Sequence, residues 1–369
     1  MIYLDHGATS FPKPEAVKQA VRWAMDRCAN PGRGGYAMAM EAANTVYRCR
    51  EAAAALFDCS VEQVVFTGSC THGLNAAIRT MLPEGGRVVI SGFEHNAVTR
   101  LLHAMKARIT VAGRKLFDWQ DTLDSFEKAL KAGQDGAVFT HVSNVFGYAL
   151  PVEELANLCR KCGVPFVVDA AQSAGHLPLS FRELGADFVA MPGHKGLLGP
   201  QGTGILLCGR QPKPLLHGGT GNLSLQQTMP EELPERMEAG TVNVPGIAGL
   251  GAGIEWVRKN GVEEICRRER KEAQRCAAAL QAMGLRVFRG ANQTGVVSFV
   301  PDGDCEDYAE AMAQRGIALR AGLHCAPLAH ESAGTLESGT VRVSFGHTAC
   351  GAQSKAFLTA AREWERGRM

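Results

Sequence analysis

Short apolar runs rich in β-branched residues punctuate the first part of the chain. They are "VVFTG" (64–68), "RVVIS" (87–91), "ITVAG" (109–113), "AVFTHV" (137–142), "PFVVDA" (165–170), "DFVAM" (187–191) and "GILLC" (204–208). Most are apolar at consecutive positions, the pattern of strands covered on both faces. Between them the spacing changes to that of helices. Leu74, Ala77, Ile78 and Met81 fall at i, i+3, i+4 and i+7, and "PVEELANLCRKCG" repeats the pattern before a glycine stop at Gly163. This alternation predicts an α/β domain with a mainly parallel, seven-stranded sheet.

After about residue 250 the texture changes. A helix breaks at Asn260-Gly261 and a long amphipathic helix follows. Short strands "RVFRG", "GVVSFV" and "TVRVSFG" come next, then a last helix from about Ala352 to Arg366. The expected organisation is an N-terminal segment (1–14) packing with a small domain, a large α/β domain (15–250) and a small α+β domain (251–369). The polar, proline-marked stretch 220–237 reads as a long exposed loop.

A length of 369 residues already favours two domains. The net charge of +2, with acids and bases interspersed, gives no basis for a nucleic-acid or anionic-membrane partner. The start "MIYLDHGATS" lacks the basic and apolar regions of a signal peptide, and no apolar run is long enough to span a bilayer. Twelve irregularly spaced cysteines then suggest free thiols in a reducing cytoplasm. "CRKC" (159–162) stands alone in a helical pattern and reads as packing, and no histidine spacing suggests a metal site.

Three strand ends carry candidate chemistry, where open α/β sheets bind ligands. In "FTGSCTHGLN" a strand gives way to a helix through small residues. Such a turn is either an anion site or a plain helix cap by Ser69 or Thr71. In "FVVDAAQSAGH" Asp169 ends an apolar strand, as a cap or as partner to a cation, with Gln172 nearby. In "AMPGHKGLLGPQGTG" Lys195 is either a solvated charge or an amine held in a cleft as a nucleophile. A phosphate cradle, a strand-end acid and a turn lysine on successive crossovers are the parts needed to hold pyridoxal phosphate: the cradle takes the phosphate, Asp169 the ring nitrogen and Lys195 the aldehyde.

With these parts in place, the chain resembles the fold-type I, class V pyridoxal-phosphate enzymes, and specifically the cysteine desulfurases and selenocysteine lyases. The resemblance is carried in order by "YLDHGAT", "NPGRGGY", "VVFTGSCTHGLN", "EHNAV", "HVSNVFGYALPVEEL", "VDAAQSAGH", "GHKGLLGPQGTGIL", "EAGTVNVPGIAGL", "LRAGLHCAP" and "GTVRVSFGHT". It implies that Lys195 forms the Schiff base with the cofactor, that Asp169 pairs with the ring nitrogen, and that Gln172 bonds the phenolic oxygen. By the same resemblance His95 stacks on the ring and relays protons, Asn144 sits near the phenolic oxygen and substrate, and Thr71 and His194 bind phosphate beside Cys70. Gly240 and Thr241 would come from the other subunit of a homodimer, and Arg342, with Arg320 beside it, would meet the substrate carboxylate. Pro192 stands where relatives often have a serine or threonine, Cys70 where many carry a second hydroxyl or a small residue, and Leu323 where some have a second histidine.

Other class V enzymes share this kit without a loop cysteine, so Cys325 in "RAGLHCAPLAH" must name the reaction. Taken alone it is either a small loop residue or a thiol activated by nearby cations, for which Arg320 and Arg342 are candidates. The resemblance implies that Lys195 removes the Cα proton of L-cysteine and that the Cys325 thiolate takes the substrate sulfur as a persulfide. Alanine is released and the sulfur passes to an acceptor. The compact loop resembles that of members that depend on a sulfur-acceptor protein. Alternatives are cleavage of L-selenocysteine, an aminotransferase, or a non-catalytic sulfur-trafficking protein.

Overall fold

The computed structural model describes residues 1–32 and 34–366. Arg33, within "NPGRGGY", and residues 367–369, at the end of the expected small domain, lie outside the described residues.

The chain opens with a two-residue strand, β1 (Ile2–Tyr3), and two helices, α1 (Glu15–Arg27) and α2 (Ala37–Phe57). Strands and helices then alternate: β2 (Val64–Thr67), α3 (Cys70–Met81), β3 (Arg87–Ser91), α4 (Asn96–Ala104), β4 (Arg108–Ala112), α5 (Trp119–Lys131), β5 (Gly136–Thr140), α6 (Val152–Cys162), β6 (Phe166–Asp169), α7 (Phe181–Leu184), β7 (Phe188–Pro192) and β8 (Gly204–Cys208). Every predicted apolar run is therefore a strand, and all join one seven-stranded sheet in the order β2-β8-β7-β6-β5-β3-β4. From β7 to β4 the pairing is parallel, as helical crossovers require. The link from β7 to β8 contains no helix, so β8 returns antiparallel to β7 and also to β2.

Side-chain alternation divides the core into two layers. Val167, Ala190 and Leu206 pack with Leu74, Ala77 and Ile78 of α3 on one face. Val168, Met191 and Ile205 pack with Leu155, Ala156 and Cys159 of α6 on the other. Only one thiol of "CRKC" packs in that core. Cys159 is buried, but Cys162 is exposed, which corrects the expectation that both fill apolar positions.

The C-terminal part runs α8 (Val244–Asn260), α9 (Val262–Gln281), β9 (Arg286–Phe288), β10 (Val296–Val300), α10 (Cys305–Gln314), β11 (Ile317–Ala318), β12 (Arg320–Gly322), α11 (Pro327–Ala333), β13 (Thr340–Ser344) and α12 (Gly351–Arg366). Its antiparallel sheet, ordered β12-β13-β10-β9, packs with α9, α10 and α12 around Phe299, Tyr308 and Phe357. Residue 250 lies inside α8, whose Ile247, Leu250 and Ile254 belong to the large core. We propose that the domain break falls at Gly261, where φ of +77° suits glycine and turns the chain from α8 into α9. The N-terminal segment crosses between the two parts. β1 pairs in parallel with β11, and Leu4 is buried in the small core. Residues 220–237 contain neither helix nor strand, and only Met229, Pro230 and Met237 are buried there.

Candidate active site

β6 ends on Asp169, which is 2% exposed. Its Oδ1 accepts the backbone N–H of Ala171 at 2.9 Å and the thiol of Cys70 at 3.5 Å. Oδ2 has no hydrogen-bond partner among the described residues. Cys70 is the first residue of α3, and burial, reinforced by the Asp169 charge, holds its thiol well above the usual range. It is therefore a protonated donor. Ser69 caps this helix, its Oγ accepting from His72 N at 3.1 Å. The first N–H groups of α3, at Cys70 and Thr71, have no carbonyl one turn earlier to bond. Thr71 is exposed.

Lys195 follows β7 in the turn predicted from sequence and is partly buried. Burial lowers its pKa below the ordinary lysine value, against the opposing pull of Asp169. The carbonyl of His194, just before it, accepts from Lys13 Nζ at 2.8 Å, Ser10 N at 3.0 Å and Thr9 Oγ1 at 3.1 Å. His194 Nδ1 pairs with Thr9 Oγ1 at 3.1 Å, and burial brings its pKa down to about 4. Gln172 donates from Nε2 to the carbonyl of Gly7 at 2.8 Å.

His95 is the N-cap of α4, its Nδ1 accepting from Ala97 N at 3.0 Å, which leaves the ring proton on Nε2. Burial lowers its pKa, and Asp169, Lys195, Arg320 and Arg342 all act on its charge. The end of β6, the turn after β7, the start of β12 and the middle of β13 thus bring four charged groups within electrostatic reach of one ring.

Arg342 is not a solvent-facing strand arginine. It is 1% exposed, on β13, with Nη2 2.7 Å from Asp5 Oδ1 and Nη1 donating to the carbonyl of Asn144 at 2.9 Å. Its buried Nε has no partner among the described residues. A Cβ on Gly7 would lie 3.1 Å from the guanidinium carbon, so glycine there lets the N-terminal segment approach. Arg320 stands opposite Arg342 in the β12–β13 register, which concentrates positive charge at this edge.

Cys325 is exposed on a short loop between β12 and α11, a tighter setting than its weak sequence periodicity suggests. Arg320 Nη2 lies 4.0 Å from Sγ. The Cys325 carbonyl accepts the backbone N–H of Asn96 at 2.8 Å, directly beside His95. Asn144, 8% exposed, donates from Nδ2 to the carbonyl of His324 at 2.7 Å. His324 itself is buried and contributes no positive charge, since burial drives its pKa down to about 2. Asp5, His324 and Asn96 were given no role from sequence, although Asp5 stands in the quoted block "YLDHGAT". A carboxylate beside a strand in the first block was the available signal.

Gly240 and Thr241 lie farther out and are exposed, with φ of +88° at Gly240. Both line a surface cavity of about 730 Å³ with Tyr47 and Arg50. Thr241 also borders a cavity of about 180 Å³ with Gly68 and His72 at the α3 turn. Among the described residues no cluster of histidine, cysteine and carboxylate side chains could hold a metal ion.

Residues 2–357 match the family described as Aminotransferase class-V. A probable cysteine desulfurase of Methanothermobacter thermautotrophicus is 30% identical, over 93% of this chain and 89% of that protein. One of Pyrococcus abyssi is 32% identical, over 94% and 89%. Among solved structures, the apo cysteine desulfurase of Thermococcus onnurineus superposes with a TM-score of 0.90 at 31% identity, covering 99% of this chain and 95% of that one. The family match over nearly the whole length, on a shared seven-stranded α/β fold, makes this chain a member of the class-V aminotransferase family.

Proposed function

We propose that this chain is a pyridoxal-phosphate-dependent cysteine desulfurase that converts L-cysteine to L-alanine and carries the sulfur as a persulfide on Cys325. The observation that carries this reading is the exposed Cys325 thiol beside Arg320, on a loop whose Cys325 carbonyl bonds Asn96, the residue next to His95. The relatives named above as cysteine desulfurases support it.

The residues present fit the cofactor. Asp169 keeps Oδ2 unpartnered for a cationic ring nitrogen, and Lys195 offers an amine that burial makes easier to deprotonate. The α3 start offers N–H groups and the Thr71 hydroxyl to a phosphate. His95, Asn144, Gln172, His194 and Cys70 would complete the pocket. When bound, pyridoxal phosphate supplies an aldehyde for the substrate amine and a ring that accepts electrons from Cα.

Arg342 would hold the substrate carboxylate through its unpartnered Nε and remaining N–H groups, with Arg320 adding charge. Lys195, as a free amine, takes the Cα proton. The neutral His95 holds a proton on Nε2 for delivery near the reacting atoms. Cys325 Sγ then attacks the substrate sulfur. An S–S bond forms, the Cβ–S bond breaks and its electron pair stays on Cβ; protonation of Cβ and return of a proton to Cα from Lys195 would then give alanine.

The same reading extends to a homodimer in which Gly240 and Thr241 face the neighbouring subunit, and to a sulfur-acceptor protein reaching the exposed loop. Among the described residues no helix is long and apolar enough to cross a membrane, and every cysteine described is a free thiol. We assign the chain to the cytoplasm on those free thiols. L-Selenocysteine would fit the same site.

The deciding experiment follows sulfide and alanine formed from L-cysteine with excess dithiol, for wild type and Cys325→Ala. Wild type should form both, and the variant should keep its cofactor absorbance and lose sulfide release. Equal output from the two proteins removes the persulfide assignment, and a requirement for a keto acid makes the chain an aminotransferase instead.

A further inference from the structure

The loop bearing Cys325 has an unusual backbone. His324 and Cys325 take φ of +50° and +57°, two successive non-glycine residues in the left-handed region. A Cβ there crowds the following carbonyl, so side-chain-bearing residues rarely adopt it in succession. Such a conformation persists only where its surroundings over-determine it.

The surroundings do so here. The His324 side chain turns inward and is 4% exposed. Its Nε2 lies 3.1 Å from the Thr340 carbonyl and 3.2 Å from Thr340 Oγ1, on β13. Because a carbonyl only accepts, Nε2 carries the proton. The ring stacks on that of His330 at 5.9 Å and 27°. The His324 carbonyl receives Asn144 Nδ2 at 2.7 Å, and the Cys325 carbonyl receives Asn96 N at 2.8 Å. Ala326 N closes the turn on the Leu323 carbonyl at 2.9 Å. With one side chain buried and both carbonyls held, the next side chain, Cys325, has to point outward toward Arg320.

We propose that His324 is the positioning residue of the sulfur-abstraction step: its buried ring fixes the left-handed turn that presents the Cys325 thiol. This rests on the desulfurase reading and adds to it. His324 is neither acid nor base in the reaction, since the ring is neutral, buried and bonded to the neighbouring strand. It acts only through Cys325, while Lys195, Asp169 and Arg342 stay as they are.

The test compares His324→Gly and His324→Asn with wild type, each loaded with cofactor. Glycine accepts the left-handed backbone but has no ring. Asparagine tolerates that backbone and keeps a polar side chain. The rate of persulfide formation on Cys325, read by mass spectrometry, should fall at least about tenfold in His324→Gly, as a thiol misplaced by about 1 Å would give. Half-saturation for L-cysteine and cofactor absorbance should stay within about twofold of wild type, the shape of the pH profile should be retained, and His324→Asn should recover part of the rate. An unchanged rate in His324→Gly, or equal losses in rate and in substrate binding, overturns the proposal.

A second measurement needs no variant. In wild type the Asn96 amide, whose partner is the Cys325 carbonyl, should be protected from hydrogen exchange. Exchange at the rate of a free loop amide means the turn is not held, and the proposal fails. If wild type forms no persulfide at all, the desulfurase reading fails first, a result distinct from either of these.

Discussion

Arg342 and Asp5 are 337 residues apart in the chain, yet Nη2 and Oδ1 meet at 2.7 Å. The first block of the sequence therefore orients the arginine proposed to hold the substrate. Arg342 is almost wholly buried and Asp5 mostly so, which makes the pair sensitive to loss of either member. Asp5→Ala should destabilise the protein by about 3 kcal/mol and raise half-saturation for L-cysteine more than it lowers turnover. Thermal melting and steady-state kinetics read the two effects. An unchanged melting temperature would argue that the contact has no energetic weight.

Arg320 stands 4.0 Å from the Cys325 thiol at the protein surface. At that distance in water a unit positive charge attracts a unit negative charge by about 1 kcal/mol, which is about fivefold in the rate of a reaction whose transition state carries negative charge at the sulfur. Arg320→Ala should slow alkylation of Cys325 by iodoacetamide by about that factor near neutral pH. The exposed Cys162 and Cys350 serve as internal references and should not change. Slowing of all three thiols together would place the effect outside the Arg320 contact.

Gly196 follows Lys195, and any side chain there meets the strand-end turn 174–176. A Cβ would overlap the carbonyl oxygen of Ala174 and come within 2.6 Å of His176 Cδ2. Backbone cannot yield as a flexible side chain can, so Gly196→Ala should cost about 1–3 kcal/mol. It should also displace Lys195 and weaken the visible absorbance expected of a lysine–pyridoxal Schiff base. Full absorbance and unchanged melting would show that the turn has room that the packing here does not provide.

Several buried histidines are held neutral. Burial lowers His141, His330 and His347 to about 4 each, and His6 to about 3. Unfolded histidine titrates near 6.5, so between these values the unfolded chain binds more protons than the folded one. Stability should therefore fall as pH drops from about 6.5 toward 4, by roughly 2 kcal/mol at pH 5 for one such ring. His176 works in the opposite direction. Burial disfavours its charge, but Glu269 at 2.9 Å raises its pKa overall, so its contribution is present at acid pH and lost as pH rises through the raised value. The more numerous lowered group should dominate. Melting temperature measured from pH 7 to pH 5 should decline, and a flat profile would contradict the neutral assignment.

Six of the seven strands were legible as apolar runs buried along nearly their whole length, the edge strand β4 by its short β-branched run although Arg108 and Thr110 are exposed, and the helices between them because α3 and α6 keep a clean 3.6-residue stripe. The antiparallel return of β8 was not, since direction depends on the missing helix between Gly193 and Thr203 and not on strand composition. Lys195, Asp169 and Cys70 were legible as strand-end residues of one sheet. Arg342 was ambiguous, because alternation on β13 does not tell an inward arginine with a distant partner from an outward one. The roles proposed for Asp5, Asn96 and His324 could not be read, because Asp5 and Asn96 meet Arg342 and Cys325 far along the chain and His324 is fixed by Thr340 and Asn144 on other elements.

The sequence by itself determined the strands of the sheet, the candidate residues at their ends and a cysteine in a loop, because those follow from local periodicity and residue type. Only the tertiary structure decided which side chains are charged, which are bonded and which are left free. It gave Asp169 one occupied and one open oxygen, turned His324 inward, and set Cys325 outward beside Arg320. The physical reason is that burial and hydrogen-bond pairing are properties of neighbours in space, and these neighbours come from the N-terminal segment, the large sheet and the small domain together.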